Sequence, residues 1–136
     1  MAKSSGLAWT TLSVDDSGGT PRDIRNDITN FEFATPRAVQ EITGIDKSAF
    51  ERLLLLADFS ITLNGVYNPT ATTSSHAVLK TVSSSSVLRS VTMTVLAQSL
   101  NNECIITDYN ITRADSGELT WTSPGVLADG AVPTWS

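Results

Sequence analysis

The sequence contains a single histidine, His76, which stands next to serines and could act on one of them as a general base. Such a base requires a positioned nucleophile and an acid that orients the imidazole. Ser74 and Ser75 are equally suited to cap a short helix that runs to about Val82. We therefore expect His76 at a helix terminus, on the surface or in an interface, rather than in a catalytic site.

The other chemically capable residues are also isolated. Cys104 is the only cysteine, so it can form no internal disulfide, and we expect a small buried hydrophobic side chain. Asp15 and Asp16 could hold a cation, but adjacent acids before two glycines are also typical of a solvated turn. One histidine and one cysteine leave only carboxylates as further metal ligands. The sequence therefore predicts no metal, no cofactor and no enzymatic activity.

The known sequence motifs of catalysis and nucleotide binding are missing. No phosphate loop, glycine-rich dinucleotide turn, GxSxG elbow or HExxH helix occurs. The net charge of −5 and the scattered basic residues argue against a groove that grips nucleic-acid phosphates. No apolar run reaches the roughly 20 residues that span a membrane.

Composition favours a single β-rich domain over residues 1–136. The chain holds 18 Thr and 17 Ser, and only 17 % of its residues are charged, whereas ordinary soluble domains have about 25 %. Threonine with few charges is typical of strands whose outer faces are polar and uncharged. The same composition fits a domain that works alone and one whose surface is covered by other subunits.

Alternating apolar residues predict six to eight strands. The clearest are residues 7–14, then 30–35 with Phe31 and Phe33 on one face, and 90–95. Residues 105–113 and the strand that begins at 119 form a hairpin around the turn 115–117. The parity of Ile28 differs from that of Phe31, which predicts a bulge near Thr29. Residues 98–102 are predicted as a turn.

The segment 43–68 changes its period midway. Ser48 and Glu51 have capping-box spacing, and Phe50, Leu53, Leu54 and Ala57 recur at helical spacing. This pattern favours a helix, with an extended arm as the alternative. Residues 59–64 then alternate as a strand, with Phe59, Ile61 and Leu63 facing inward, and Asn64-Gly65 is predicted as a turn.

Two neighbouring features predict contacts between subunits. The leucine run 53–56 is either central core or a surface partly covered by another copy. Residues 36–46, with Pro36 at one end and Gly44 near the other, fit a long loop or an extended hairpin, and we favour a protruding hairpin arm.

Several longer stretches are specific enough to suggest a family. The stretches VDDSGGTPRDI (14–24), TGIDKSAFERL (43–53) and DFS to LNG (58–65) resemble the major tail proteins, or tail tube proteins, of long, non-contractile-tailed phages of actinobacteria. Later elements agree in order: HAVLK (76–80), Asp108-Tyr109 with Thr112-Arg113, GELT (117–120), and Asp129-Gly130 with Pro133 and Trp135. The match spans about residues 9–135 and consists of turns, caps and core positions.

The resemblance implies a β-sandwich or partial barrel with a flanking helix, and the residue pattern itself predicts one or two short helices. It also implies a structural virion protein, assembled in the host cytoplasm, whose homohexameric rings stack into a tail tube. The implied partners are the tape-measure protein, the tail terminator and tail-tip proteins. Genomic DNA would pass through the tube without specific binding.

Three sets of residues follow as candidates under this resemblance. The candidate acids of the lumen are Asp15, Asp16, Asp27 and Glu32, although these acids could instead only keep the free subunit soluble. The candidate inter-ring arm residues are Arg37, Val39, Gln40 and Glu41. The candidate core or interface residues are Leu53, Leu54, Leu55, Leu56, Phe59, Trp121 and Trp135.

Two other interpretations stay open at the level of sequence. One is another component of a tail, such as a connector or terminator. The other is a small ligand-binding β-domain, in which Trp9, Trp121 and Trp135 line a site for a sugar or lipid.

Overall fold

The structure, a computed structural model, describes residues 3–136; residues 1 and 2 of the predicted domain 1–136 lie outside it. Within the described part, the chain forms ten strands, one α-helix and two short 3₁₀ turns, at Gly6–Ala8 and Arg25–Asp27. The elements are β1 (Trp9–Asp15), β2 (Pro21–Asp23), β3 (Ile28–Ala34), β4 (Arg37–Glu41), β5 (Arg52–Ala57), β6 (Ser60–Val66), α1 (Ser75–Leu79), β7 (Arg89–Val95), β8 (Gln98–Ile106), β9 (Asn110–Arg113) and β10 (Leu119–Leu127). No helix in this part has the length and hydropathy needed to cross a membrane.

Eight strands form one antiparallel sheet in the order β2-β1-β7-β8-β10-β6-β3, with β9 paired to the first half of β10. The sheet curls until its two ends meet. Trp9 of β1 packs edge-on against Phe31 of β3, with ring centroids 5.1 Å apart, although these strands are not neighbours in the sheet. The predicted mainly β class, a partial barrel, is therefore confirmed.

The inner face of the curled sheet is the hydrophobic core. Inward positions on β6 alternate as predicted, with Ile61 and Leu63 buried and Thr62 exposed. Helix α1 contributes Val78 and Leu79 to the same core. Its start is confirmed, because the Ser74 side chain caps it by accepting a hydrogen bond from the backbone N–H of Ala77, but it ends before the predicted Val82.

The aromatic residues fall into two groups within this core. Phe59 and Trp121 are fully buried, as predicted for a core position. Trp135 is half-exposed, and it packs on Phe33, which also contacts Trp9. The three tryptophans therefore do not line one common site.

The predicted bulge near Thr29 and the turn of the hairpin at 115–117 are confirmed, but the predicted strand 105–113 is wrong, because β8 ends at Ile106 and β9 begins at Asn110. The register between β3 and β6 shifts between Ile28 and Asn30. β9 and β10 pair around Gly117, whose φ of +95° explains the glycine at that turn.

The predicted turn at Asn64-Gly65 is wrong, because β6 continues through both residues. Gly65 is needed for close packing instead. A Cβ atom at this position would lie 2.2 Å from the carbonyl oxygen of Asp27 and 2.7 Å from the ring of Trp121. The glycine therefore marks a close approach of backbone and ring within the sheet.

The predicted turn at 98–102 is also wrong. These residues belong to β8, and the turn lies at Leu96-Ala97, where both residues have positive φ. A two-residue hairpin with two positive φ values usually carries Asn or Gly. The absence of those residues here explains why the sequence pattern misplaced the turn.

The helix predicted from the capping-box spacing of Ser48 and Glu51 is wrong. Its leucines form β5, which pairs with β4 in a separate two-stranded sheet. Four consecutive leucines fit a helical period and a strand period equally well, so the spacing did not discriminate. This helix assignment, with the very short β2 and β9, also explains why six to eight strands were predicted instead of ten.

Candidate interaction surface

The residues that could do chemistry lie apart from one another. The ring nitrogen Nδ1 of His76 lies 3.1 Å from the hydroxyl of Tyr109, and its ring packs against Tyr67. Ser74 is occupied in capping α1. His76 thus has aromatic neighbours in place of a serine nucleophile, which agrees with the expected position at a helix terminus. Burial raises the pKa of Tyr109 to about 12, so its hydroxyl stays protonated at neutral pH.

Cys104 is fully buried on β8, as predicted. Burial raises the pKa of its thiol to about 12, which leaves almost no thiolate at neutral pH. Among residues 3–136, no three His, Cys, Asp or Glu side chains cluster closely enough to hold a metal ion.

Two of the four candidate lumen acids are buried within the subunit. Asp15 accepts a hydrogen bond from the backbone N–H of Ser90, at 3.2 Å. Asp27 accepts one from the Asn68 side chain and one from the backbone N–H of Ser75, both at 2.8 Å. Side chains held inside one subunit cannot face a channel between subunits. The candidate set therefore narrows to the other two acids.

Asp16 organises the turn that follows β1. Its Oδ1 accepts hydrogen bonds from the backbone N–H groups of Gly18 and Thr20, at 2.9 and 3.0 Å. The hydrogen bond from Thr20 is the main reason why the pKa of Asp16 lies below its usual value. The bond from Gly18 and the neighbouring Arg22 lower that pKa further. The Asp16 carboxylate is therefore occupied by hydrogen bonds within the turn, which favours a turn residue over a cation ligand.

Glu32 stands on the outer face of the sheet, where β3, β6 and β10 lie side by side. The neighbouring side chains on this face are uncharged. The Asn64 amide donates a hydrogen bond to the Asn30 side chain, and the Thr122 hydroxyl donates one to the side-chain oxygen of Asn64, both at 2.8 Å. None of the three strands contains a lysine or an arginine. We call the five polar residues at the centre of this surface, Asn30, Glu32, Thr62, Asn64 and Thr122, the polar face; the exposed Val66 and Val126 lie toward its two ends.

β4, β5 and the loop between them form a hairpin that we call the ribbon (residues 37–57). All five residues of β4, including the four candidate arm residues, are exposed, and so are all four leucines of β5. The central-core interpretation of the leucine run is therefore wrong. The four leucines are 39–85 % exposed, and none belongs to the hydrophobic core cluster.

The ribbon is closed at both ends by hydrogen bonds. At its base, the backbone N–H of Asp58 donates to the carbonyl of Pro36, at 2.9 Å. At its tip, Thr43 accepts from the backbone N–H of Glu51, at 2.9 Å. These bonds define a hairpin twice as long as the predicted arm 36–46, because the leucine run supplies the return strand.

Sequence reasoning also missed the buried Arg89. Its guanidinium donates to the carbonyls of Asp15 and Val78, both at 2.8 Å, and to the hydroxyl of Thr81. Burial lowers the pKa of Arg89. The signal was present in the sequence, because position 89 shares the inward parity of Val91 and Met93.

An open cleft of about 460 Å³ lies where the two ends of the sheet meet, between Leu7, Trp9, Arg25 and Phe31. Of the three tryptophans of the ligand-site interpretation, Trp9 alone lines it.

No protein-family model matches the chain. No curated protein matches it either. Among solved structures, the chain is similar to one from the tail of an empty gene transfer agent (GTA) particle, determined by helical refinement with C6 symmetry. The TM-score is 0.70 and the identity 16 %, over 98 % of both chains. A chain from the virion of a native gene transfer agent particle gives a TM-score of 0.67 and 15 % identity, over 98 % of this chain and 99 % of that one.

This chain shares the fold of those particle proteins. The agreement covers 98 % of this chain and 98 % of the chain from the empty particle's tail. At 15–16 % identity the likeness is one of fold.

Proposed function

We propose that this chain is the repeating subunit of the tube of a long, non-contractile phage tail, of the kind found in phages of actinobacteria. The observation that carries the proposal is the whole-length fold likeness to a chain from the tail of a gene transfer agent particle. The sequence stretches that resemble tail tube proteins lead to the same role. The role is structural, and no reaction is catalysed.

The subunits form homohexameric rings, and the rings stack into a tube. A small protein rarely exposes a contiguous apolar surface such as the leucine run of the ribbon unless another protein covers it. Cyclic rings with a heterologous interface cover such a surface in every copy at once. The C6 symmetry of the similar tail supports six subunits in each ring.

The tube conducts double-stranded DNA without binding it. The net charge of −5 gives a wall that weakly repels the phosphate backbone. The polar face is the surface best suited to line the channel, because its side chains are hydroxyls, amides and one carboxylate. Asp16 and Glu32 are the lumen acids that remain candidates.

The other partners follow from the same role. The tube assembles in the host cytoplasm around a tape-measure protein, is closed by a tail terminator and joins tail-tip proteins. The finished protein resides in the virion. The described chain, 3–136, acts as one tail-tube domain.

Electron microscopy and sedimentation of the purified full chain test the proposal. We expect rings at moderate concentration and tubes with a central channel and six-fold symmetry as the concentration rises. A protein that stays monomeric or dimeric under all conditions would contradict the proposal and favour a ligand-binding domain. Rings that never stack would favour a terminator or connector.

A further inference from the structure

Two places in the chain combine an Asn or Asp with a following glycine: Asn64-Gly65 and Asp129-Gly130. The nitrogen of such a glycine can attack the side-chain carbonyl carbon before it, because no Cβ atom restricts the approach. The product is a five-membered succinimide ring. In a flexible chain the Asn-Gly pair reacts faster, because an amide loses ammonia more readily than an ionised carboxylate loses water. The fold gives the two pairs very different surroundings.

Asn64 and Gly65 lie inside β6, between two partner strands. Gly65 pairs with Trp121 of β10 on one side and with Ile28 of β3 on the other. Ring closure requires the side-chain carbon of Asn64 to swing onto the Gly65 nitrogen, which takes the main chain out of its extended form. The sheet opposes this movement unless β6 separates from its partners.

The Asn64 side chain is also held by two hydrogen bonds. Its Nδ2, which would leave as ammonia, donates to the side-chain oxygen of Asn30, and its Oδ1 accepts from the hydroxyl of Thr122, both at 2.8 Å. The main chain has little room to shift, since a Cβ atom on Gly65 would lie 2.2 Å from the carbonyl oxygen of Asp27. Both reacting groups of this pair are therefore held in place.

Asp129 and Gly130 lie after β10, in an exposed excursion of the chain that rejoins β8 at Trp135, opposite Leu100. Gly130 has a φ of +75°, and a Cβ atom built on it would meet nothing within 4 Å. No partner strand fixes the peptide between Asp129 and Gly130, which lies outside the strands of the described chain. This pair has the space that ring closure needs.

The Asp129 carboxyl group is folded back toward the reacting nitrogen. Its Oδ1 accepts a hydrogen bond from the backbone N–H of Ala131 at 3.0 Å, and the ring closed by this bond contains the Gly130 nitrogen. Within residues 3–136, no hydrogen bond occupies the N–H of Gly130 itself. The nucleophile is therefore free, and the side chain is bent toward it.

We propose that Asp129 is the site of spontaneous isoaspartate formation in the folded protein, while the sheet protects Asn64. The Gly130 nitrogen bonds to Cγ of Asp129, and the hydrogen of that nitrogen leaves as water with a carboxyl oxygen and one solvent proton. Water then opens the ring at the main-chain carbonyl carbon, and the carboxylic acid so formed returns the proton. The product has the same composition, but its main chain runs through the former side chain.

The fold tolerates this product at position 129 and excludes it at position 64. The extra main-chain atom at 129 falls in the exposed excursion between Leu127 and Trp135. The same atom at Asn64 would shift the rest of β6 against both partner strands, where register is fixed by the buried face. The intrinsic order of reactivity of the two pairs is thus reversed by their places in the fold.

Ageing of the full-length protein in H₂¹⁸O tests the proposal, because water that opens a succinimide leaves its ¹⁸O in the reacted residue. Mass spectrometry of peptides digested in ordinary water locates the label. Asp129→Asn provides a matched comparison, since it places the same Asn-Gly chemistry at both sites of one chain. A sample unfolded in urea gives the intrinsic rate at each site.

In the folded natural chain, we expect several-fold more label at Asp129 than at Asn64. In the folded Asp129→Asn variant, position 129 should take up label at least about tenfold faster than Asn64, because reaction at Asn64 waits for local opening of β6. In urea the two asparagines of the variant should react at similar rates. Similar rates in the folded variant, or more label at Asn64 than at Asp129 in the folded natural chain, would overturn the proposal. So would a folded natural chain without label at Asp129 after an interval in which the unfolded chain is labelled there.

Discussion

Arg89 shows how a buried charge holds together parts of the chain that are far apart in sequence. Its guanidinium joins the end of β1 to the end of α1 and the loop that follows, through the carbonyls of Asp15 and Val78 and the hydroxyl of Thr81. A buried carbonyl without a donor costs far more than a surface hydrogen bond contributes. The residue is therefore structural rather than a contact for DNA.

We expect Arg89→Met to lower the free energy of unfolding by about 1–3 kcal/mol, because it leaves two buried carbonyls without a donor. Urea denaturation measures this loss. The exposed Arg113 provides the control, since Arg113→Met should change stability by less than about 0.5 kcal/mol. Equal effects at the two positions would contradict the structural role of Arg89.

Glu103 and Asp15 lie on opposite sides of Ser90, on the two strands that flank β7, and the Ser90 hydroxyl donates a hydrogen bond to Glu103. Burial is the main reason why the pKa of Glu103 lies above its ordinary value of 4.5. The nearby charges of Asp15 and Asp129 raise it further. A folded-state pKa above the unfolded value favours the protonated form. Its contribution to stability is therefore complete below the unfolded pKa and is lost as the pH rises through the folded pKa.

Glu103→Gln should therefore raise stability relative to the natural chain more at about pH 7 than at about pH 4, because glutamine stays neutral in both conditions. Denaturation at the two pH values measures the difference. A gain that is the same at both values, or larger in acid, would show that burial does not disfavour the charge of Glu103.

The strands themselves show which signals in the sequence were decisive. The alternation on β6 and β7 was predicted correctly because each strand has one buried face, which fixes its period. The ribbon lacks that signal. Leucines occupy both faces of β5, so the sequence shows neither a strand period nor a helix period. Pairing with β4 makes this segment a strand.

The candidate site residues likewise include some whose environment the sequence predicts and some whose environment it does not. The exposure of residues 37–41 was predicted, because Pro36 and Gly44 bracket a protruding segment. The burial of Asp15 and Asp27 was not predicted, because it depends on hydrogen-bond partners such as Ser90 and Ser75 that are distant in sequence. Local patterns identify turns and faces, whereas long-range hydrogen bonds decide which acids remain on the surface.

The register of β6 predicts a clear asymmetry between neighbouring residues. Leu63→Ala should cost about 2–5 kcal/mol of stability, because it leaves a cavity in the core. Thr62→Ala should cost much less, because Thr62 is exposed on the polar face. Chemical denaturation of both variants measures the difference, and similar losses would mean that the register is wrong.

The ribbon can be removed as a unit, because the hydrogen bond between Asp58 and Pro36 holds its two ends together. Replacing residues 37–57 with a short Gly-Ser turn should leave a folded monomer, since no residue of the hydrophobic core cluster lies in that segment. Light scattering, thermal melting and electron microscopy would show a cooperative transition without rings or tubes. Normal tubes from this variant would exclude the ribbon from assembly.

At the scale of the whole molecule, the ribbon and the polar face differ in chemistry. The ribbon exposes leucines and carries equal numbers of acidic and basic residues, while the polar face carries amides, hydroxyls and the single carboxylate of Glu32. A DNA duplex carries about one negative charge per 1.7 Å of its axis, so a cation on a channel wall creates an attractive site in every subunit of every ring. A wall without lysine or arginine offers no such stopping place.

This argument yields a test of DNA passage in assembled tails. Glu32→Lys should still allow tubes to form, because the substitution is on an exposed position of β3, but it should slow or stall DNA ejection. High salt should restore the rate, because it screens the added attraction.

Asp115→Lys, in the exposed turn before β10, makes the same change of charge away from the polar face and should have little effect. If both variants slow ejection equally, total charge matters rather than the polar face. An unchanged rate in tubes built from the Glu32→Lys variant would mean that Glu32 does not line the channel.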